Sequence, residues 1–219
     1  MTVIGASGRI GGFVVEEALG RGHAVTAVVR DPSSFDRGIP VVGGDVFRPK
    51  DIAAAVADSE VVVSAAGHAA TLDDVGYYAR AAQSLVEALR LASLARLLVV
   101  GGFGSLIQAS GAQFADDPRL PDHAIPEIVG QRDALTYLRS VSDIRWTYLS
   151  PPPGGIWPGE RSGSYRLGLD GLGGKPGDSL VTLADFAVAV VDEAERAEHP
   201  FACLGVANLK PPSDASAGR

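Results

Sequence analysis

Short apolar runs alternate with helix-periodic segments along the chain, and that alternation predicts parallel strands joined by helices that cover the sheet. Thr2-Val3-Ile4 is the first strand; apolar positions at helical spacing follow from Ile10 to about Gly20, and Gly22-His23 stops them. Ala24 to Val29 is a second strand, Ile39 to Val42 a third, and Pro49 to Ala57 a helix rich in alanine and valine. Glu60 to Gly67 is apolar almost throughout, as a strand buried on both faces should be, and opens into the small residues Ala65, Ala66 and Gly67. From Val75 to Ala92 the apolar residues recur at helical spacing, with Leu85, Leu89 and Ala92 on one face that packs on the sheet or on a second subunit. Arg96 to Val100 is the fifth strand, Ile125 to Val141 a helix, and Arg145 to Ser150 the sixth strand. The glycine-dense stretch from Pro151 to Asp178 predicts no lasting regular structure and reads as the wall of a substrate pocket. Thr182-Leu183-Ala184-Asp185 resembles a capping box that starts a helix through Ala194, and Phe201 to Val206 is a last strand. The expected fold is α/β, a doubly wound parallel sheet of one domain over residues 1–208. A small C-terminal substrate lobe is expected from about 151–182 and 200–208, and residues 209–219 are a disordered tail.

The first loop, Gly5-Ala6-Ser7-Gly8-Arg9-Ile10-Gly11, stands between a strand and a helix. In that place Gly5 allows the tight exit from the strand, Gly8 lets backbone approach a pyrophosphate, and Gly11 lets the helix lie close on the sheet. Free N–H groups and the positive end of the helix dipole make an anion site without a lysine. A dinucleotide in a Rossmann fold is the expected tenant, with Gly5, Ser7, Gly8, Arg9, Ile10 and Gly11 around it. Arg30 ends the second strand, where an arginine accommodates a 2′-phosphate and an acidic residue would take a 2′-hydroxyl, so NADPH is expected over NADH. Asp45 and Val46 fall where such folds meet the adenine, and Ala65, Ala66 and Gly67 let the cofactor lie against backbone.

Composition narrows the function further. A formal charge of -7 carries no footprint for nucleic acid, and one cysteine, Cys203, excludes an internal disulfide and reads as a small buried hydrophobe. Neither a run of about 18 apolar residues nor a signal-peptide pattern is present, so no membrane partner is expected and the cytoplasm is the expected location. The expected partner is a small-molecule substrate, and the chain is expected as a monomer or homodimer.

Several stretches together resemble one family: Gly5 to Gly11, Val99 to Leu106, Trp146 to Pro151, Pro158 to Arg166 and Asp185 to Ala189. The chain is similar over about residues 1–208 to the atypical short-chain dehydrogenases called NAD(P)H-binding or NmrA-like proteins, and within these to NADH-flavin reductases related to biliverdin-IXβ reductase. The resemblance implies a Rossmann domain, a nicotinamide cofactor and either reductase activity or redox sensing. One departure from the wider superfamily is plain. The lysines Lys50, Lys175 and Lys210 are preceded four residues earlier by Val46, Gly171 and Val206, so no Tyr-x-x-x-Lys pair exists. Without that pair the usual ketone and alcohol chemistry is disfavoured, whereas a conjugated acceptor such as a flavin can draw its proton from solvent.

Other groups could still supply a proton. Ser105, at the end of the fifth strand, is a candidate to bond a substrate oxygen or the nicotinamide amide, and His123 and Tyr165 are further catalytic candidates. His68 is a candidate for the nicotinamide region, and Tyr78 for the pocket wall. A Ser-His-Asp hydrolase is excluded because no Gly-x-Ser-x-Gly elbow occurs. Three readings remain: a reductase of a flavin or another conjugated small molecule, a nucleotide-sensing regulator without turnover, and a non-redox isomerase, cyclase or dehydratase on the same fold.

Overall fold

In a computed structural model, which describes residues 1–67, 74–172 and 179–208, the adjacent residues Val3 and Ile4 of strand β1 (Thr2–Ile4) are both buried but on opposite sides. A strand with both faces buried needs a helical layer on each. Val3 packs with helices α1 (Arg9–Gly20) and α5 (Leu183–Arg196), through Val14, Val15, Phe186 and Val190. Ile4 packs with α2 (Pro49–Val56), α3 (Tyr77–Leu91) and α4 (Ile125–Leu138), through Ile52, Leu85, Leu89 and Leu135. Leu97 and Leu98 of β5 (Arg96–Val100) repeat the division one residue apart. Full burial of each such side chain is worth about 1.5–3 kcal/mol.

The remaining strands of the main sheet are β2 (Thr26–Val29), β3 (Val41–Gly43), β4 (Val62–Ser64), β6 (Arg145–Ser150), β8 (Tyr165–Leu169) and β10 (Ala202–Asn208). Among the described residues eight strands run in the order β3-β2-β1-β4-β5-β6-β10-β8, with every pairing parallel except that of β10 with β8. The fold is a Rossmann-type doubly wound α/β sheet. Chain order reverses between β1 and β4, where Ile4 is level with Val28 on one side and Ser64 on the other. A crevice opens beyond the carboxyl ends of strands at such a reversal.

The C-terminal region departs from the expectation of irregular structure. Tyr165-Arg166-Leu167-Gly168-Leu169 is a full edge strand, with Leu204 opposite Leu169 and Asn208 opposite Tyr165. Its glycine serves the turn that follows, because a Cβ on Gly168 would lie 1.8 Å from the Gly171 carbonyl oxygen. β7 (Ile156–Trp157) pairs with β9 (Val181–Thr182) in a second, small sheet. Thr182 caps α5, its Oγ1 accepting from the Asp185 N–H at 3.0 Å. The box is only half closed. Asp185 is buried and accepts instead from the backbone N–H groups of Ser162 and Gly163 at 2.9 and 2.8 Å, which pins the 158–164 loop to α5. His68 and the tail 209–219 lie outside the described residues. No helix among the described residues is long and apolar enough to cross a membrane.

Candidate functional site

The crevice begins at the turn out of β1. Gly5 has φ +78°, the left-handed region that a glycine enters freely, and a Cβ there would stand 2.7 Å from the Ala65 carbonyl oxygen. Its loop therefore lies flush against the end of β4. Gly11 is needed for a close approach of backbone: a Cβ on it would meet the Gly5 carbonyl oxygen at 2.2 Å, so the first helical turn lies against the chain as it leaves β1. Gly8 is less crowded by protein, its Cβ position meeting only Gly5 O at 3.1 Å. That approach is already tighter than an ordinary contact, and beyond it no described atom lies within 4 Å, which leaves this side of Gly8 open to a ligand.

Gly8 caps α1 without a side-chain bond, and no acidic residue occupies the first turn. The Gly8 N–H is taken by Gly5 O at 2.9 Å, whereas the N–H groups of Arg9, Ile10 and Gly11 meet no acceptor among the described residues. Open amides at the positive end of a twelve-residue helix form an anion site. Ser7 and Gly8 line a cavity of about 350 Å³ that runs across the ends of β1 to β4.

Arg30, Asp45, Val46, Ala65, Ala66 and Gly67 also line this cavity, together with Phe47 and Tyr77, which sequence reasoning missed. Arg30 is exposed and has no ion pair among the described residues. Its neighbour Asp31 is committed elsewhere, accepting from the Ser33 N–H at 3.0 Å and from its hydroxyl at 2.6 Å. Asp45 accepts from the Phe47 N–H at 2.9 Å, a turn that brings Phe47 out beside the cavity. The Phe47 and Tyr77 rings meet edge to face with centroids 5.1 Å apart, and the Arg80 guanidinium lies 5.5 Å from the Phe47 ring. Burial holds the Tyr77 phenol above its ordinary pKa, and the positive charge of Arg30 opposes that rise.

The three catalytic candidates are not brought together. Ser105 is fully buried in a single 3₁₀ turn after β5, and its hydroxyl makes no well-formed hydrogen bond. Tyr148 is its neighbour. Burial drives the Tyr148 phenol well above its usual range, the Ser105 hydroxyl partly offsets this, and the phenol donates to Gln131 O at 2.8 Å. His123 is exposed in the turn before α4 and lines no part of the cavity. Tyr165 is on the opposite layer, packed with the α1 and α5 side chains, and donates to Asp192 Oδ2 at 2.5 Å. The alternation along β8 sends it there. Glu127 and Gln131 of α4 were also missed: the Tyr78 hydroxyl donates to Glu127 Oε1 at 3.1 Å.

Residues 5–196 match the model of a family described as NAD(P)H-binding. The chain belongs to that family. Its cofactor is accordingly a nicotinamide dinucleotide, and the glycine loop, the open amides and the cavity fit one. The chain is 37% identical over 201 residues to the uncharacterized protein YwnB of Bacillus subtilis (strain 168), covering 90% of this chain and 92% of that one. A "putative exported protein" from Burkholderia pseudomallei superposes with TM-score 0.83 at 36% identity, over 94% of this chain and 98% of that one. A "putative NADH-flavin reductase" from Streptococcus pneumoniae TIGR4 superposes with TM-score 0.82 at 31% identity, again over 94% and 98%.

Proposed function

We propose that this NAD(P)H-binding protein is a cytoplasmic reductase that takes NADPH in preference to NADH and passes hydride to a flavin or another conjugated small molecule. The observation that carries the cofactor preference is Arg30, an exposed cation without an ion pair among the described residues, at the rim of the cavity where β2 ends. Asp31 does not neutralise it, and a 2′-phosphate would. The name borne by the Streptococcus pneumoniae neighbour and the missing Tyr-x-x-x-Lys pair support a conjugated acceptor. When bound, the reduced nicotinamide supplies the hydride. The chain supplies the rest: amides of α1 for the pyrophosphate, Arg30 for the ribose phosphate, and the backbone of Ala65 to Gly67 as a flat support. It acts as a monomer or homodimer on a small-molecule substrate.

The test is NADPH oxidation by purified protein with riboflavin and FMN, set beside a panel of quinones and ketones. Turnover with a flavin or quinone, faster with NADPH than with NADH, is the expected result. Tight NADPH binding with no acceptor reduced would overturn the reading in favour of a nucleotide sensor or a non-redox enzyme.

A further inference from the structure

Tyr78 is placed by a gap between two helices. A Cβ on Gly130 of α4 would lie 2.6 Å from the Val75 carbonyl oxygen and 3.2 Å from Tyr78 Cδ2, so glycine at this position lets the phenol ring slide in between α3 and α4. The ring is buried, yet its hydroxyl comes within 3.9 Å of where a Cβ on the cavity residue Gly67 would stand. That hydroxyl donates to Glu127 Oε1 at 3.1 Å, and Gln131, one helical turn further, approaches the same oxygen at 3.5 Å with Nε2. Gln131 also lies over Gly102 just past β5, where a Cβ would be 1.5 Å from its Oε1. A phenol, a carboxylate and a carboxamide thus gather at the ends of β4 and β5.

Sheet order fixes what faces this cluster. The cavity over β2 and β3, with Arg30, Asp45 and Phe47, suits the adenosine half of a dinucleotide, and the anion site at α1 suits its pyrophosphate. The other half must then run the opposite way from β1, over β4 towards β5. Its reactive end would then be held near Gly67 and Gly102.

From this placement, and resting on the reductase reading above, we infer that Tyr78 is the catalytic proton donor of the hydride-transfer site and that Glu127 is the positioning residue that orients its hydroxyl and links it to water. The acceptor gains a hydride, with its electron pair, from the bound reduced nicotinamide and becomes negative on a conjugated heteroatom. The Tyr78 O–H turns from Glu127 Oε1 to that heteroatom, its bond breaks and the proton goes to the heteroatom, while the Glu127 hydrogen bond is given up. The electron pair left on the phenolate oxygen takes a proton from water by way of Glu127, which is exposed. One acceptor, one NADPH and one proton yield the reduced acceptor and NADP⁺. Proton delivery through Tyr78 replaces the direct solvent delivery expected from the missing Tyr-x-x-x-Lys pair. Ser105, sealed at the Tyr148 side, is not needed.

The test measures Tyr78→Phe and Glu127→Gln beside the unmutated protein: kcat and KM with a flavin or quinone acceptor, NADPH affinity by calorimetry, and melting temperature. General acid catalysis contributes about 10²–10⁴ in rate, so Tyr78→Phe should lose at least about a hundredfold in kcat, with acceptor KM and NADPH affinity held. Glu127→Gln still offers an oxygen to the Tyr78 hydroxyl but cannot relay a proton, and should lose kcat to a smaller extent without a change in KM. Glu127→Gln alone decides the matter if Tyr78→Phe fails to fold. Full kcat in both variants, or a fall in NADPH affinity that accounts for the whole loss, overturns the proton-donor role while the reductase reading stands. An unmutated protein that binds NADPH and reduces no acceptor overturns both.

Discussion

The rim of the crevice and the seam between α1 and α5 treat charge in opposite ways. At the rim, Arg30 has no ion pair and three amides of α1 have no acceptor among the described residues. Along the seam, Arg21 holds Glu17, Asp192 and Glu195 at 2.6–2.8 Å, Arg161 adds a second cation to Glu17, and Tyr165 completes Asp192. Deeper, Arg96 pairs with Glu193, which also accepts from Thr147 and bonds His199. A paired buried charge is costly to break and has little left to offer a ligand, whereas an unpaired donor at a cavity is available to one. Tyr165 shows the lesson directly, being a plausible acid by type and committed to the seam by position.

Breaking the deepest pair should have the largest effect. Glu193→Ala leaves the Arg96 guanidinium buried and uncompensated, and such losses cost about 3–5 kcal/mol. Urea unfolding should show that loss with little change in NADPH affinity below the transition. A loss under about 1 kcal/mol would mean that the pair is solvated like a surface bridge.

At the rim the same kind of change should do the reverse. Gly8→Val must push against the Gly5 carbonyl oxygen, 3.1 Å from its Cβ, so urea stability should fall modestly, while NADPH affinity falls by about a hundredfold or more, equivalent to at least about 2.7 kcal/mol. Undiminished affinity in the folded variant would remove the loop from the cofactor site. Arg30→Ala is the finer probe: one charge-assisted hydrogen bond to a 2′-phosphate is worth about 1.5–3 kcal/mol, so the variant should erase a preference for NADPH of roughly ten- to a hundredfold. Equal affinity for NADPH and NADH in the unmutated protein would make Arg30 a surface charge.

The smallest expected effect is the acid response of the seam. Arg161 chiefly, against burial and with help from Arg21, holds the Glu17 carboxyl below its ordinary value of 4.5. Burial pushes Asp192 up from 3.8, but Tyr165 and Arg21 outweigh it and the net shift is downward. A carboxyl depressed in the folded state stabilises the fold above its unfolded pKa and loses that contribution as pH falls through the folded one. The melting temperature should therefore hold down to the ordinary carboxylate range and fall below it. Replacing both residues, Glu17→Gln with Asp192→Asn, should flatten that slope and lower the unfolding free energy on the plateau by about 1 kcal/mol or less per pair. An unchanged slope would assign acid sensitivity elsewhere.

What the sequence determined by itself was local or periodic. An apolar run such as Val61 to Val63, opening into small residues, reads as a strand buried on both sides, and the glycines from Gly5 to Gly11 between a strand and a helix announce the cofactor loop. Short-range chemistry was legible for the same reason, since the Thr182 cap closes within three residues. The edge strand β8 was hidden because its partner, β10, lies more than thirty residues on in the chain, and pairing between such distant segments leaves no local period. The reach of side chains was also left to tertiary structure. Tyr78 and Glu127 are 49 residues apart and meet only because Gly130 lets two helices close, and Tyr165 is carried to the far layer by the alternation of its own strand. Residue type states which chemistry is available, but burial and the direction of each Cβ decide where it is delivered.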